Sequence, residues 1–396
     1  DFSRGRSRNS NLYNFLDTTR NSGLSVDLNW QTSIGRKFSS EFRFKIGRQT
    51  AAVTPHFANR LNVSGEVGIA GNNQDASSWG PPNLEFSNGI SPLTDASYSR
   101  DRILNSGISY AGAWYNNKHN ITFGAGIQWN QFNLFSQQDA RGTFRFTGNI
   151  SGFDFADFLF GIPDTSSIAY GNADKYFRQK LSHAFISDNW KIGRGFTLNA
   201  GLRWEYETPI RELQGRLVNL DISPDFSSVV SVVGNDLIRP DKTGIQPRIG
   251  LAWRPGVSTL VLRAGYGVYR DTNVYRSIAV QMAQQSPLSK SMIAQYDPDN
   301  PLTMRDVFSV AQPPIRNTFA VNPGFRVGYV QNWQLSIQNN LPAALQIMLI
   351  YMGIKGTQLP QESLPNTFPS GALPPSGYAF LTSNGSSIRH AGTLQL

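Results

Sequence analysis

At 396 residues the chain is long enough for one large β-domain or for two to three ordinary domains. Charged residues are only 16% while aromatics reach 12% beside 36 glycines, which excludes a disordered chain or a helical bundle and suits twisted strands joined by turns. The net charge of +9 is spread without any block of five basic residues, so no nucleic-acid partner is expected; a slightly basic solvated surface is, with anionic lipid head groups as the next candidate.

Absence of cysteine excludes a disulfide framework and a thiolate metal site. In chain order, DFSRGRSRNS (1–10) lacks a basic-then-apolar leader pattern, so the chain reads as intracellular, already processed, or cut from something longer. Period-two alternation begins at LSVDLNWQTSI (24–34), where Leu24, Val26, Leu28, Trp30 and Ile34 oppose Ser25, Asp27, Asn29 and Gln31. After a turn at Gly35, Arg36 and Lys37, SEFRFKIG sets Phe42, Phe44 and Ile46 against Glu41, Arg43 and Lys45. RLNVSGEVGI (60–69) is a further strand candidate. Ile108, Tyr110 and Trp114 precede the turn NNKHN (116–120); Ile121, Phe123, Ala125, Ile127 and Trp129 then alternate with Thr122, Gly124, Gly126 and Gln128. AFISDNWKI leads through a glycine turn to TLNAGLRWEY (197–206), whose Leu198, Ala200, Leu202, Trp204 and Tyr206 face away from Arg203 and Glu205. Ile249, Leu251 and Trp253 pair across RPGV with Leu260, Leu262, Ala264, Tyr266 and Val268. YVQNWQLSIQ and LQIMLIYMG, across NNLPAA, make a fifth pair in which the alternation blurs. The pattern predicts five antiparallel hairpins with strands near ten residues long.

Between these hairpins lie long connections, roughly 48–105, 135–177, 208–245 and 271–328, which hold most of the 22 prolines. Loops beyond about 12–15 residues are uncommon in compact domains, so their regular alternation with tight turns needs a cause. A transmembrane β-barrel supplies one, with short periplasmic turns on one rim and long extracellular loops on the other. No apolar run reaches the roughly 18 residues of a spanning helix. Closure follows from energetics, because an unpaired backbone polar group in hydrocarbon costs several kcal/mol. Ten strands, or about twelve with 60–69, could close a small ring or belong to a larger one. Trp30, Trp114, Trp129, Trp190, Trp204, Trp253 and Trp333 all fall on the apolar faces. Trp114, Trp190 and Trp253 lie near short turns and Trp129 and Trp204 far from them, the placement of two membrane-interface girdles; tryptophans filling a large protein core are the alternative.

The polar faces carry Arg43, Arg203, Glu205, Arg248 and Arg263. These could line a hydrated lumen and touch a solute, or form cross-strand charge ladders that stiffen the wall. His56, His119, His183 and His390 are isolated, with His119 inside a predicted turn, so no metal site is expected. DPDNP at Asp297 alternates carboxylates, but its prolines spoil a calcium loop. Neither a phosphate-cradling loop nor a G-x-S-x-G elbow occurs, and GYG at Gly265 reads as small residues on an inner barrel face. No catalytic residues and no cofactor are expected.

Three stretches in order, FISDNWKIGRGFTLNAGLRWEYETPI, IQPRIGLAWRPGVSTLVLRAGYGVYRD and YVQNWQLSIQNNLPAALQIMLIYMGIKGTQLP, resemble the barrel of TonB-dependent outer-membrane receptors, most closely the Oar-like branch. The matching positions are Asp188, Trp190, Leu202, Arg203 and Tyr206; then Pro247, Arg248, Gly265, Tyr266 and Gly267; then Gln331, Trp333, Ser336 and Gln338; then Tyr351, Gly353, Lys355, Gly356, Leu359 and Pro360. The likeness covers roughly 177–360 strongly and the first 170 residues only in style. It implies a 22-stranded barrel of the bacterial outer membrane, plugged by its own separate amino-terminal domain and energised by TonB through that region. Neither a plug nor an energy-coupling box precedes Asp1, and SNGSSIRHAGTLQL does not read as a closing strand ending in an aromatic residue. Residues 1–396 are therefore read as a β-barrel segment of such a receptor, truncated at the carboxyl end. The expected function is ligand binding by the extracellular loops and energised uptake, with a non-transporting adhesion or structural barrel as the alternative and a barrel enzyme disfavoured. The ligand is not legible.

Overall fold

The structure is a computed structural model in which residues 1–223, 229–256, 259–310, 318–342, 345–364 and 378–396 are described. The chain opens with β1 (Phe2–Ser10), β2 (Leu16–Ile34) and β3 (Phe38–Thr54). A first long connection carries helix α1 (Val63–Glu66) and strand β4 (Asn83–Phe86) before the hairpin of β5 (Ser99–Asn116) and β6 (His119–Ser136). The second connection holds β7 (Asp139–Phe146), α2 (Asp154–Phe160) and β8 (Thr165–Gly171), and leads to β9 (Asp174–Gly193) and β10 (Phe196–Glu207). The third holds β11 (Arg211–Glu212), β12 (Val218–Ile222) and β13 (Val229–Val233), ahead of β14 (Ile245–Trp253) and β15 (Val261–Arg270). The fourth holds α3 (Val274–Ala283), β16 (Ser289–Gln295) and β17 (Phe319–Val321), followed by β18 (Tyr329–Asn340), β19 (Gln346–Ser363) and β20 (Ala379–Gln395).

The wall is one 14-stranded sheet in the order β1-β2-β3-β5-β6-β9-β10-β14-β15-β18-β19-β20-β17, with β11 added to β9. Apart from the parallel β17–β20 pair its neighbours are antiparallel, and among the described residues the sheet is a path with two ends, not a ring. All five hairpins expected from alternation are present. Two wall strands carry no apolar alternation. In β1, Arg4, Arg6 and Arg8 take the positions that Leu or Val would hold, so only pairing with β2 reveals the strand. SNGSSIRHAGTLQL likewise lies in β20, paired with β19. The segment 60–69, in contrast, is not a strand. Asn62 accepts from the Gly65 N–H at 3.0 Å, capping α1, and Ile69 turns into a core formed by the loops.

The apolar faces are exposed. Leu24, Leu28, Trp30, Leu202, Trp204 and Ile249 all look outward, with no second layer of polypeptide over them. Strands are longer than the alternation predicts: β2 has 19 residues, β5 and β6 have 18 each and β9 has 20. About 9–11 tilted residues cross a bilayer. The alternation marks only the part beside the short turns, because a hydrogen-bonded ladder needs no apolar face once its strands have left hydrocarbon. The long connections shorten accordingly, the first from 48–105 to the interval between Thr54 and Ser99.

Close packing is concentrated at the long-loop end. α3 buries Tyr275, Ile278, Ala279 and Met282 against Phe132, Leu134 and Phe177 on the far ends of β6 and β9. A second core, containing Leu84, Phe144, Phe146, Ile168, Met292 and Phe308, lies on a four-stranded sheet β16-β8-β7-β4 assembled from three different connections. The loops are thus a folded cap.

Glu212, fully buried, pins the third connection. It accepts the backbone N–H groups of Tyr176, Gln214 and Arg216 at 3.1, 2.8 and 3.0 Å and the Arg216 guanidinium at 3.0 Å. Burial by itself would raise this carboxyl, but the Arg216 side chain and the three N–H donors outweigh it and hold it below the usual glutamate range. A depressed native pKa stabilises the fold fully above the ordinary carboxylate pKa near ~4.3 and the effect is lost as pH falls through the native value. Hydrogen exchange across 211–217 should therefore accelerate below about pH 4. Glu212→Gln should remove that pH dependence and cost about 2 kcal/mol, less than a fully buried pair because Arg216 keeps Asp174 at 3.6 Å. Unchanged exchange would show that Glu212 does not hold the connection.

Candidate functional site

The polar face of the wall is built by register. Asp27 on β2 sits opposite Lys45 on β3, Arg43 opposite Ser109 on β5, and Ser109 opposite Gly126 on β6. Gly126 lies opposite His183 on β9, and His183 opposite Glu205 on β10. Residues from six strands therefore share one row region, and alternation turns all of them away from the exposed apolar side. A Cβ at Gly126 would come within 2.6 Å of the His183 ring, so glycine there is what lets the imidazole lie against the wall.

The result is a cleft of about 580 Å³, lined among others by Asp27, Arg43, Lys45, His183, Arg203 and Glu205. Two ion-pair groups stand in it. Asp27 takes Arg43 Nε at 3.0 Å and Lys45 Nζ at 3.5 Å. Glu205 takes Arg203 at 2.7 Å on one oxygen and the Gln246 amide at 2.7 Å on the other. The Arg203 guanidinium also lies 6.0 Å from the Phe185 ring centroid. These side chains keep substantial exposure, so each pair contributes at most about 1 kcal/mol to stability. Their weight is in presenting fixed, alternating charge to whatever occupies the cleft.

Of the five residues singled out from sequence, Arg43, Arg203 and Glu205 meet in this cleft. Arg248 and Arg263 lie apart, in a second depression of about 420 Å³ with Asn199, Tyr269, Asn332 and Gln334. There Arg248 stacks 4.5 Å over the Tyr269 ring, and that ring occupies space a Cβ at Gly267 would fill at 2.9 Å. Gly265 and Gly267 face this same side, as the GYG reading expected. Asp27, His183 and Gln246 were not marked by sequence. His183 is one residue before the AFISDNWKI alternation, and only the β9–β10 register places it against Glu205.

The tryptophans divide as follows. Trp30, Trp114, Trp190, Trp204 and Trp253 are exposed on the apolar side, while Trp129 and Trp333 are half-buried there. Trp333 is covered because Gly353 lies directly opposite, where any Cβ would collide with its ring. His119 opens β6 and does not sit in a turn: its Nδ1 is 2.7 Å from Asp188 and its ring stacks on Trp190 at 5.2 Å. His390 meets Tyr351 Oη at 2.9 Å, and His56 Nδ1 accepts the Leu16 N–H at 3.3 Å. Asp297 caps its own turn, accepting from Asp299 N at 3.0 Å. Among the described residues no three His, Asp or Glu side chains converge as metal ligands.

Residues 2–393 match the family described as outer membrane beta barrel domain. Among solved structures, the outer membrane transporter YddB from Escherichia coli aligns with a TM-score of 0.55 at 8% identity, over 99% of this chain and 41% of that one. A double mutant of the Serratia marcescens hemophore receptor HasR, in complex with its hemophore HasA and heme, aligns with a TM-score of 0.51 at 10% identity, over 100% of this chain and 48% of that one. At such identities the likeness is one of fold, and this chain spans less than half the length of either protein. No curated protein matches it in sequence. With its apolar side exposed, its strands in long-loop and short-turn alternation, and nearly its whole length matched, the chain belongs to the outer membrane β-barrel domain family and resides in the bacterial outer membrane.

Proposed function

We propose that this chain is barrel wall and loop cap of a TonB-dependent, Oar-like transporter, binding its ligand with the long extracellular loops and admitting it along the polar face of the wall. The observation that carries this reading is the packed cap, two loop-built cores standing at the long-loop end beyond a charged cleft. Loops that served only to connect strands would not need buried aromatic cores of their own. In this reading Arg43, Arg203, Glu205, Arg248 and Arg263 face the lumen and contact a plug supplied by the rest of the protein. The exposed tryptophans sit at the two membrane interfaces, and no covalent step on the solute is assigned. YddB is an outer membrane transporter and HasR a hemophore receptor, and both agree with this class of activity.

A non-transporting adhesion barrel is favoured by one feature: α2 presents Phe153, Leu159 and Phe160 to solvent at a loop tip. The two readings part on energy coupling. Cells lacking the full-length gene should lose growth on one nutrient source in a panel of iron, glycan and peptide sources, and loss of TonB should reproduce that defect. A surface-attachment defect that persists with TonB intact or absent, with no nutrient phenotype, would replace transport by adhesion.

A further inference from the structure

The outward face changes character along the strands. Beside the short turns it is Leu, Ile, Val and Trp; past Leu24 and Trp129 the same face carries Arg20, Arg48, Arg100, Arg102, Arg178 and Lys180. Register fixes this side: Leu24 is opposite Arg48, Arg48 opposite Leu104, and Thr50 opposite Arg102. Leu104 pairs with Gln131, which pairs with Arg178, and Trp129 pairs with Lys180. The carboxylates of β2, β3 and β5, namely Asp17, Asp27, Glu41 and Asp101, all alternate to the other face. Among the described residues Arg20, Arg48, Arg100, Arg102 and Lys180 make no ion pair.

Two arginine pairs are moreover directly opposed across strands, Arg6 with Arg20 and Arg178 with Arg211. Like charges at such positions destabilise a sheet unless an anion lies over them. Next to the second pair a groove of about 510 Å³ opens, lined by Trp129, Tyr206 and Ile238 together with Arg178, Lys180 and Arg211. Arg178 is oriented by Asn133 Oδ1 and the Phe177 carbonyl, both 2.8 Å from its Nη1, and Arg211 is paired with exposed Asp236. An aromatic and aliphatic lining continuous with the lipid-facing band, under a basic border, fits a molecule that is apolar at one end and anionic at the other.

We propose that this belt binds the phosphorylated head groups of outer-leaflet glycolipid, with one molecule seated in the groove, its phosphate on Arg178 and Lys180 and its upper acyl chain against Trp129. Guanidinium groups hold phosphate oxygens in a bidentate fork, and the one carboxylate in the groove lining, Asp236, is paired with Arg211 and leaves Arg178 and Lys180 for the phosphate. The bound anion supplies Arg178 with the counter-charge that Asp236 already gives Arg211, and fixes how deep the wall sits in the bilayer. The proposal rests on the outer-membrane placement of the chain, and its test separates the two.

The full-length protein in non-ionic detergent is titrated with bis-phosphorylated lipid A and with its dephosphorylated counterpart, and retained lipid is read by native mass spectrometry. Wild type should keep the phosphorylated form about 10-fold better. The triple variant R102Q/R178Q/K180Q should fall to the level of the dephosphorylated lipid, while K118Q, a charge removed at the short-turn end, should not. If the triple variant does not give a heat-modifiable barrel, K180Q alone should still lower retention about 3-fold. Equal retention of the two lipids by wild type, or no loss in either variant, overturns the belt. Displacement of the lipid by millimolar inorganic phosphate overturns the choice of lipid in favour of a soluble anion. Failure of wild type itself to shift on gels before and after boiling would instead count against the membrane barrel.

Discussion

Leu202→Arg should destabilise the folded wall by about 2–4 kcal/mol in phospholipid vesicles, the cost of a cationic side chain near the bilayer midplane. Leu202 is exposed on β10, between Leu198 beside the short turn and Trp204 further along. Exposure to water and exposure to lipid give opposite outcomes for this change. On a solvated sheet a half-exposed leucine can be replaced by arginine within about 0.5 kcal/mol. In hydrocarbon the guanidinium must snorkel past Trp204 or drag water inward. Asn199→Arg, three positions away on the polar face, should stay within about 0.5 kcal/mol and serves as the control for strand propensity. Denaturant titration of the full-length protein in vesicles, followed by tryptophan fluorescence, reads both. Equal small effects would remove the lipid from the apolar side.

Phe177→Ala should cost about 3–5 kcal/mol, the usual range for emptying a buried aromatic site. Phe177 is fully buried on β9, opposite Phe132 of β6, at the seam where wall meets cap. Its ring shares a core with Tyr275, Ile278 and Met282 of α3 and with Ile210 and Leu217 of the third connection. Because the membrane-side ladder of β9 continues through 20 residues, the loss should fall on the cap and not on the barrel. Limited proteolysis should then cut 208–244 and 271–328 faster in the variant, while the gel shift on boiling persists. Cleavage at the wild-type rate would mean that the cap does not depend on this seam.

The barrel was legible where one face is apolar and the other polar, because that pattern is what a lipid-facing strand requires. TLNAGLRWEY shows it in ten letters, and β10 has the faces it predicts. β1 and β20 were silent for the opposite reason: β1 has arginines in its outward positions, so its strand character resides in hydrogen bonds to β2. Alternation in β19 blurs because Met348, Ile350, Met352 and Ile354 put apolar groups on the side where β10 carries Arg203 and Glu205. The polar cleft was half legible. Arg43, Arg203 and Glu205 announce themselves as charges on an alternating strand, but their meeting with Asp27 and His183 depends on registers that join residues more than a hundred positions apart. The cap was illegible, since α3 and the sheet β16-β8-β7-β4 gain their apolar partners only from other loops.

The unequal strands give the wall an oblique outer edge. The wall strands β2, β3, β5, β6 and β9 run to 17–20 residues, whereas β14 and β15 have 9 and 10. At about 3.3 Å per residue and a tilt near 45°, one flank stands about 20 Å taller than the other. α3 springs from the low flank, directly after β15, and leans across to rest on the high one. That single helix therefore straps the two flanks together, and whatever loosens its seat on Phe132 and Phe177 should free the fourth connection from the wall.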